Sequence, residues 1–286
     1  MARTALSSLI LASLLALSGC SSSIQPTYNK EDIAQAVRDI CKKEYNLEAR
    51  TKLVGQTLWI YLPFEDVLQP AKEPKKSIVK FKITGNKHAF AGKVLESEYS
   101  IENIPEREES NALELSKEVS KANNAVLRVL FRLLSSVREY KENKVRFIYL
   151  VTADIKNGFL IKETLYSLDI KKVFYNLISS GEFQHRIIQD TQISPEIIGD
   201  KEGILIDYKD VSWEEFLAGQ IRHRIQLKFE KPEVDRKADI DREIVKIIAY
   251  TFKIYDFKDF DSAELFNTQS KKKIVMSRRA ILEESY

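Results

Sequence analysis

Few side chains in this sequence are arranged for chemistry. Its histidines number three. His185 and His223 sit in matching His-Arg-Ile contexts, where imidazoles meeting on adjacent strands could pass a proton or share a ligand. No two histidines have the i, i+4 spacing of a helical metal pair. Asp256, Asp259 and Asp261 are interleaved with Tyr255, Phe257 and Phe260. A calcium loop would need a glycine at its turn and a glutamate beyond, so solvated carboxylates at a strand end are the expectation. Glu106, Glu108 and Glu109 precede an apolar helical repeat whose positive N-terminal end they would complement. Lys271, Lys272 and Lys273, with Arg278 and Arg279, could contact anionic lipid or a polyanionic polymer, but a solvated hairpin tip explains them as well. Trp59 and Trp213 read as buried rings. The chain has no G-x-S-x-G elbow, Walker loop or G-x-G-x-x-G, so serine hydrolase, nucleotide hydrolase and dinucleotide enzyme lose their usual support. No catalytic residue, metal ligand or cofactor is assigned.

One residue does carry a chemical expectation. Arg3 precedes an apolar run from Ala5 to Leu17, too short to span a bilayer as a helix. The run ends in Leu17-Ser18-Gly19-Cys20 and gives way to Ser21-Ser22-Ser23. This pattern resembles the lipobox of bacterial lipoproteins. The resemblance implies cleavage before Cys20 and a diacylglyceryl thioether on its sulfur, with two or three acyl chains on Cys20 in all. Two or more chains give stable anchoring where one gives only marginal binding. Ser21 after the cysteine resembles the outer-membrane sorting pattern, which implies a periplasm-facing position in a cell with two membranes.

If Cys20 is acylated, Cys41 is left without an internal disulfide partner, since the chain has two cysteines. Ile33, Val37, Ile40 and Cys41 share one face at helical spacing, so Cys41 is expected to be buried and inert.

The balance of charge is nearly even, with 45 Lys and Arg against 42 Asp and Glu. A dedicated nucleic-acid binder would carry a larger basic excess. With 44% apolar residues over 286 positions, the chain can bury a substantial core.

Periodicity sets the expected elements. Asn29 should start a helix to Tyr45, with Asp32 in a capping-box-like place. Glu48 to Val54 and Gln56 to Leu62 read as strands turning at Gly55. Leu58 to Leu62 is apolar on both faces, which suits a central strand. Gln69 to Lys76, with Pro70 and Pro74, reads as a solvated connection, and Ser77 to Thr84 as a strand. A long helix is expected from Asn111 to Tyr140. Val145 to Thr152 and Phe159 to Tyr166 should form a hairpin about Asn157-Gly158. Further expectations are a helix from Asp169 to Ser179, a strand at Gly203 to Tyr208, and a capping box of Ser212 and Glu215. Arg222 to Glu230 alternates like a strand. A last helix from Ile240 to Thr251 is followed by β-rich Phe252 to Phe257 and a hairpin at the Lys271 to Lys273 run.

The expected class is α+β, made of repeated helix-plus-hairpin units on mainly antiparallel sheet with one long helix. The expected division is a signal peptide at 1–19, a lipidated N-terminus and linker at 20–28, a small α+β domain at 29–104 and a larger one at 105–286. In function, the reading is a membrane-anchored, non-enzymatic binding or scaffold module on the extracytoplasmic side. Its partners would be the membrane, through Cys20, and other envelope proteins, with no nucleic acid. A cell-wall polymer hydrolase and a small-ligand capture lipoprotein are the alternatives. Two facing carboxylates would favour the hydrolase, and a closed apolar pocket ligand capture. An uncovered sheet edge or apolar groove would favour the scaffold.

Overall fold

The computed structural model describes residues 28–137, 144–230 and 234–284. The expected export segment, Cys20 and the expected helix end at Tyr140 lie outside the described residues.

The doubly apolar run from Leu58 to Leu62 becomes the centre of a five-stranded sheet. β1 (Arg50–Val54) and β2 (Thr57–Phe64) form a hairpin whose turn needs Gly55 at φ +57°. A side chain there would also strike the carboxylate of Asp210, which accepts from Gln56 N at 2.9 Å and Thr57 Oγ1 at 2.8 Å. β2 runs parallel to β5 (Phe147–Asp154), and β6 (Phe159–Tyr166) and β7 (Ile188–Ile193) extend the sheet in the order β1-β2-β5-β6-β7. One face presents Leu58, Ile60, Leu62, Ile148, Leu150, Ile161 and Leu165 to a helical layer. That layer is α1 (Ile33–Tyr45), α2 (Lys117–Ser136) and α3 (Ser167–Phe174). The other face buries Trp59, Tyr61, Val151 and Leu160 under the loop that carries Ile197 and Tyr208.

A second sheet is built on one long ribbon. β3 (Leu68–Ala91) and β4 (Val94–Leu115) pair along their lengths, and β8 (Ser262–Asn267) and β9 (Lys272–Ser277) complete the order β3-β4-β8-β9. The ribbon's base, Leu68 and Leu115, packs on the first core, while Phe81, Leu95, Tyr99 and Ile101 belong to the second. α5 (Trp213–Phe229) fills the space between the sheets: Phe216 lies 4.8 Å from Phe147 of the first, and Phe229 5.2 Å from Phe81 of the second. α6 (Ile240–Ile254) packs beside it through Ile244, Ile248 and Phe252. Two short helices remain, α4 (Ser180–Arg186) and α7 (Arg278–Glu283).

The class is α+β, as expected, but both sheets are mixed, since β2–β5 and β4–β8 are parallel pairs. Nor is one helix dominant: α2, α5 and α6 have 20, 17 and 15 residues. Position 104 lies inside β4, and the first sheet draws strands from both sides of it.

Several local expectations give way to tertiary pairing. Asn111 to Leu115 extends β4 instead of starting α2, and Ser116 becomes the cap, accepting from Val119 N at 3.3 Å. Glu106, Glu108 and Glu109 therefore sit on a strand, where Glu108 pairs with Lys76 at 2.8 Å and Glu109 with Arg107 at 2.5 Å. Gln69 to Lys76 is strand too, because a register shift between Pro70 and Lys75 accommodates the prolines. Arg222 to Phe229 is helix: Ile221, Ile225 and Phe229 recur at i, i+4 on the buried face, and the alternation was a by-product of that spacing. α6 continues through Phe252 to Ile254, and Gly203 to Tyr208 forms no strand. α3 spans Ser167 to Phe174, ending short of Ser179. Asn29 precedes a short 3-10 turn, and its side chain bonds Asp32 instead of capping a backbone N–H.

Candidate binding groove

Where the ribbon leaves the first core, it leaves a groove of about 660 Å³. Leu68, Leu113 and Leu115 form one wall, Phe159 and Ile161 of β6 the floor, and Gln189 and Thr191 of β7 the far wall. Ser120, in the first turn of α2, closes one end, and Glu73, Asn111 and Glu114 line the mouth. The strand alternation explains the floor: Phe159, Ile161 and Glu163 share the face of β6 that looks toward α2. β7 is the sheet's edge, and five of its six residues are exposed. An edge strand offers a row of backbone donors and acceptors, and the groove offers apolar contact beside it.

Glu163 adjoins this groove, two residues beyond Ile161 and opposite Gln189 in the β6–β7 register. Burial pushes its carboxyl up to about 7. The group is thus poised between neutral and ionised at ordinary pH.

The residues singled out from sequence have other placements. His185 lies in the last turn of α4 and His223 within α5, so they belong to helices, not adjacent strands. They are near enough to interact: burial, then Arg224 and His185, lower His223 to about 4. Their neighbours Arg186 and Arg224 do more. Arg186 Nη1 donates to Asp169 Oδ1 at 2.8 Å and its Nε to Glu182 Oε1 at 2.7 Å, while Arg224 lies 3.5 Å from the same Glu182 oxygen and 4.8 Å from the Tyr250 ring. Burial would raise the Glu182 carboxyl, but Arg186 and Arg224 outweigh it and hold it below the usual range. This network ties α3, α4, α5 and α6 into one unit.

The acidic run is solvated and paired, with Asp256 on Lys258 at 2.7 Å and Asp259 on Lys93. Of the lysine run, Lys272 meets Asp241 at 2.9 Å and Lys273 meets Glu264 at 2.7 Å. Arg278 donates to Lys258 O at 3.1 Å, and Arg279 to Glu283 at 2.7 Å. Trp59 is buried, stacked 4.0 Å from Tyr149 and donating to Lys209 O at 2.7 Å. Trp213 lies 5.4 Å from Phe147, with the Arg146 guanidinium over its indole. Cys41 is a free buried thiol, pushed up to about 11 by burial and then by Glu44.

Two sites had no signal in the sequence. Glu163 is one, since nothing local marks a strand glutamate as half-buried with a raised carboxyl. His88 is the other, between clefts of about 340 and 480 Å³. Asn86 Nδ2 donates to Arg222 O at 3.0 Å, which aims its Oδ1 at His88 Nε2, 2.6 Å away. Nε2 must then carry the proton, leaving Nδ1 to accept from Ser97 Oγ at 2.8 Å. Burial, then Arg222, lower this imidazole to about 3, so it stays neutral.

Among the described residues, no group of three or more His, Cys, Asp or Glu could hold a metal ion. Among the same residues, no helix is long and apolar enough to cross a membrane. No protein family, curated protein or solved structure matches the chain.

Proposed function

We propose that this protein is an envelope lipoprotein, held on the extracytoplasmic side by acyl chains on Cys20, and that it works as a binding or scaffold module. In a cell with two membranes its place would be the outer membrane, facing the periplasm. The lipobox-like Leu17-Ser18-Gly19-Cys20 supports the anchor. The groove beside β7 carries the binding reading, because it pairs an uncovered sheet edge with an apolar floor. An extended segment of another envelope protein would add a strand to β7 and set alternate side chains against Phe159, Ile161 and Leu113.

Intact-mass measurement of the membrane-extracted protein tests the anchor, and an unmodified Cys20 would refute it. The groove is tested by a photo-crosslinking residue at Thr191, which lines it. It should yield a discrete adduct in intact cells, and Leu113→Asp, at a position 51% exposed, should remove that adduct without unfolding the protein. An adduct indifferent to Leu113→Asp would count against the groove.

Glu163 favours a second reading, a wall-polymer hydrolase, since a carboxyl held at about 7 suits a general acid. Glu73 and Glu114 at the mouth would have to supply the second carboxylate. Release of soluble fragments from purified peptidoglycan, abolished by Glu163→Gln, would establish this reading over the first.

A further inference from the structure

The described chain begins at the same end of α2 as the most exposed apolar surface of the helical layer. Tyr28 bridges to Val137, and its N–H reaches Ser136 O at 3.4 Å. Phe131, about 9 Å back along the helix at 1.5 Å per residue, stacks on Phe174 at 4.2 Å and meets Tyr175 edge-on at 5.4 Å. Tyr175 is 59% exposed and Leu177 72%. These side chains are held in place, because α3 closes with Asn176 at φ +56° and Leu177 N donating to Lys172 O at 2.8 Å. Asp169, the one acid in Ser167 to Leu177, is turned inward onto Arg186 at 2.8 Å and Lys172 at 3.8 Å, so with Lys171 the stretch keeps a surplus of one cation.

The tether limits where this surface can be. Eight residues lead from Cys20 to Tyr28. An extended chain covers at most about 3.6 Å per residue, so Tyr28 stays within about 29 Å of the lipid.

We infer that the surface formed by Phe131, Phe174, Tyr175 and Leu177 docks on the bilayer itself, with Tyr175 and Leu177 entering the headgroup layer beside Lys171 and Lys172. The inference rests on the Cys20 anchor. Tyrosine rings and apolar side chains flanked by lysines suit that interface. A tethered surface also needs little intrinsic affinity, because the anchor raises its effective concentration. The groove, at Ser120, lies about 16 Å along the α2 axis from Phe131, apart from the docked surface.

The test uses the chain from Cys20 onward, which retains every described residue, coupled through Cys20 to maleimide-lipid vesicles of phosphatidylglycerol and phosphatidylethanolamine. Cys41 is buried and will not compete. With brominated lipids present, Leu177→Trp should add a strongly quenched emission, whereas Ile193→Trp, beside the groove and 78% exposed, should add an unquenched one. Adding Tyr175→Asp to the first variant should abolish its quenching, with circular dichroism confirming the fold. Equal quenching at the two positions overturns the proposal. So does a dimer by sedimentation that Tyr175→Asp dissolves, since the patch would then belong to a second copy. The artificial tether separates this result from the anchor reading, which fails only if native Cys20 is unmodified.

Discussion

The Arg186 guanidinium meets the Asp169 carboxylate at 2.8 Å, with 8% and 2% of the two side chains exposed. The pair joins α4 to α3, and the Arg186–Glu182 contact within α4 carries the link on to Arg224 of α5. Removing Arg186 leaves the buried Asp169 carboxylate with only the longer Lys172 contact at 3.8 Å to compensate it. Arg186→Met should therefore cost about 3–5 kcal/mol, measured by urea unfolding. The double variant Asp169→Leu/Arg186→Met should recover much of that loss. A single variant as stable as the parent would show that the pair is not a clamp.

Glu163 predicts a pH dependence. Its folded pKa, about 7, lies above the ordinary 4.5 of the unfolded chain. The unfolded state therefore releases its proton first, and this group lowers stability progressively as pH rises from about 4.5 through 7. Above that window the loss is complete, and below it the group contributes nothing. Glu163→Gln should stabilise the protein by about 1–3 kcal/mol at pH 8 and leave stability nearly unchanged at pH 4. Equal effects at both pH values would show that the carboxyl is not desolvated.

His88 should resist protonation. Its imidazole is lowered from 6.5 to about 3, so its NMR resonances should stay in the neutral form down to about pH 4. The folded state binds this proton less readily than the unfolded chain, so the contribution to stability is lost as pH falls from about 6.5 toward 3. Titration of His88 near pH 6.5 would mean that the Asn86–His88–Ser97 chain is open in solution.

Ser212 and Glu215 form the capping box expected of them: Glu215 N donates to Ser212 Oγ at 3.1 Å, and Ser212 N to Glu215 Oε2 at 3.0 Å. Ser212→Ala should cost about 0.5–2 kcal/mol. Phe216→Ala should cost about 3–5 kcal/mol, because Phe216 is 1% exposed between Phe147 and Tyr255. Thermal unfolding reads both. A Phe216→Ala loss no larger than that of Ser212→Ala would contradict its place in the core.

Cys41 should react slowly with a bulky thiol reagent until the protein unfolds. Its side chain is fully covered, and its thiol is raised to about 11. Labelling of the folded protein as fast as of the urea-unfolded chain would place Cys41 at the surface.

Local chemistry made some of this protein legible from its residues alone. The Ser212 cap, the Gly55 and Gly158 turns, the central strand at Leu58 to Leu62 and the buried face of Cys41 all depend on neighbours a few positions away. The rest waited on partners far along the chain. Asn111 to Leu115 and Gln69 to Lys76 are strand because each pairs with the other across some forty residues, and a helical repeat or a proline pair carries no record of that partner. The groove forms only where the β3–β4 ribbon passes β6 and β7, so no single segment contains its signature. Glu163 looks like any strand glutamate, and His88 like any lone histidine, until the fold packs distant segments against them. Burial of an ionisable group is a property of what is packed against it, and in this protein that packing comes from segments distant in sequence.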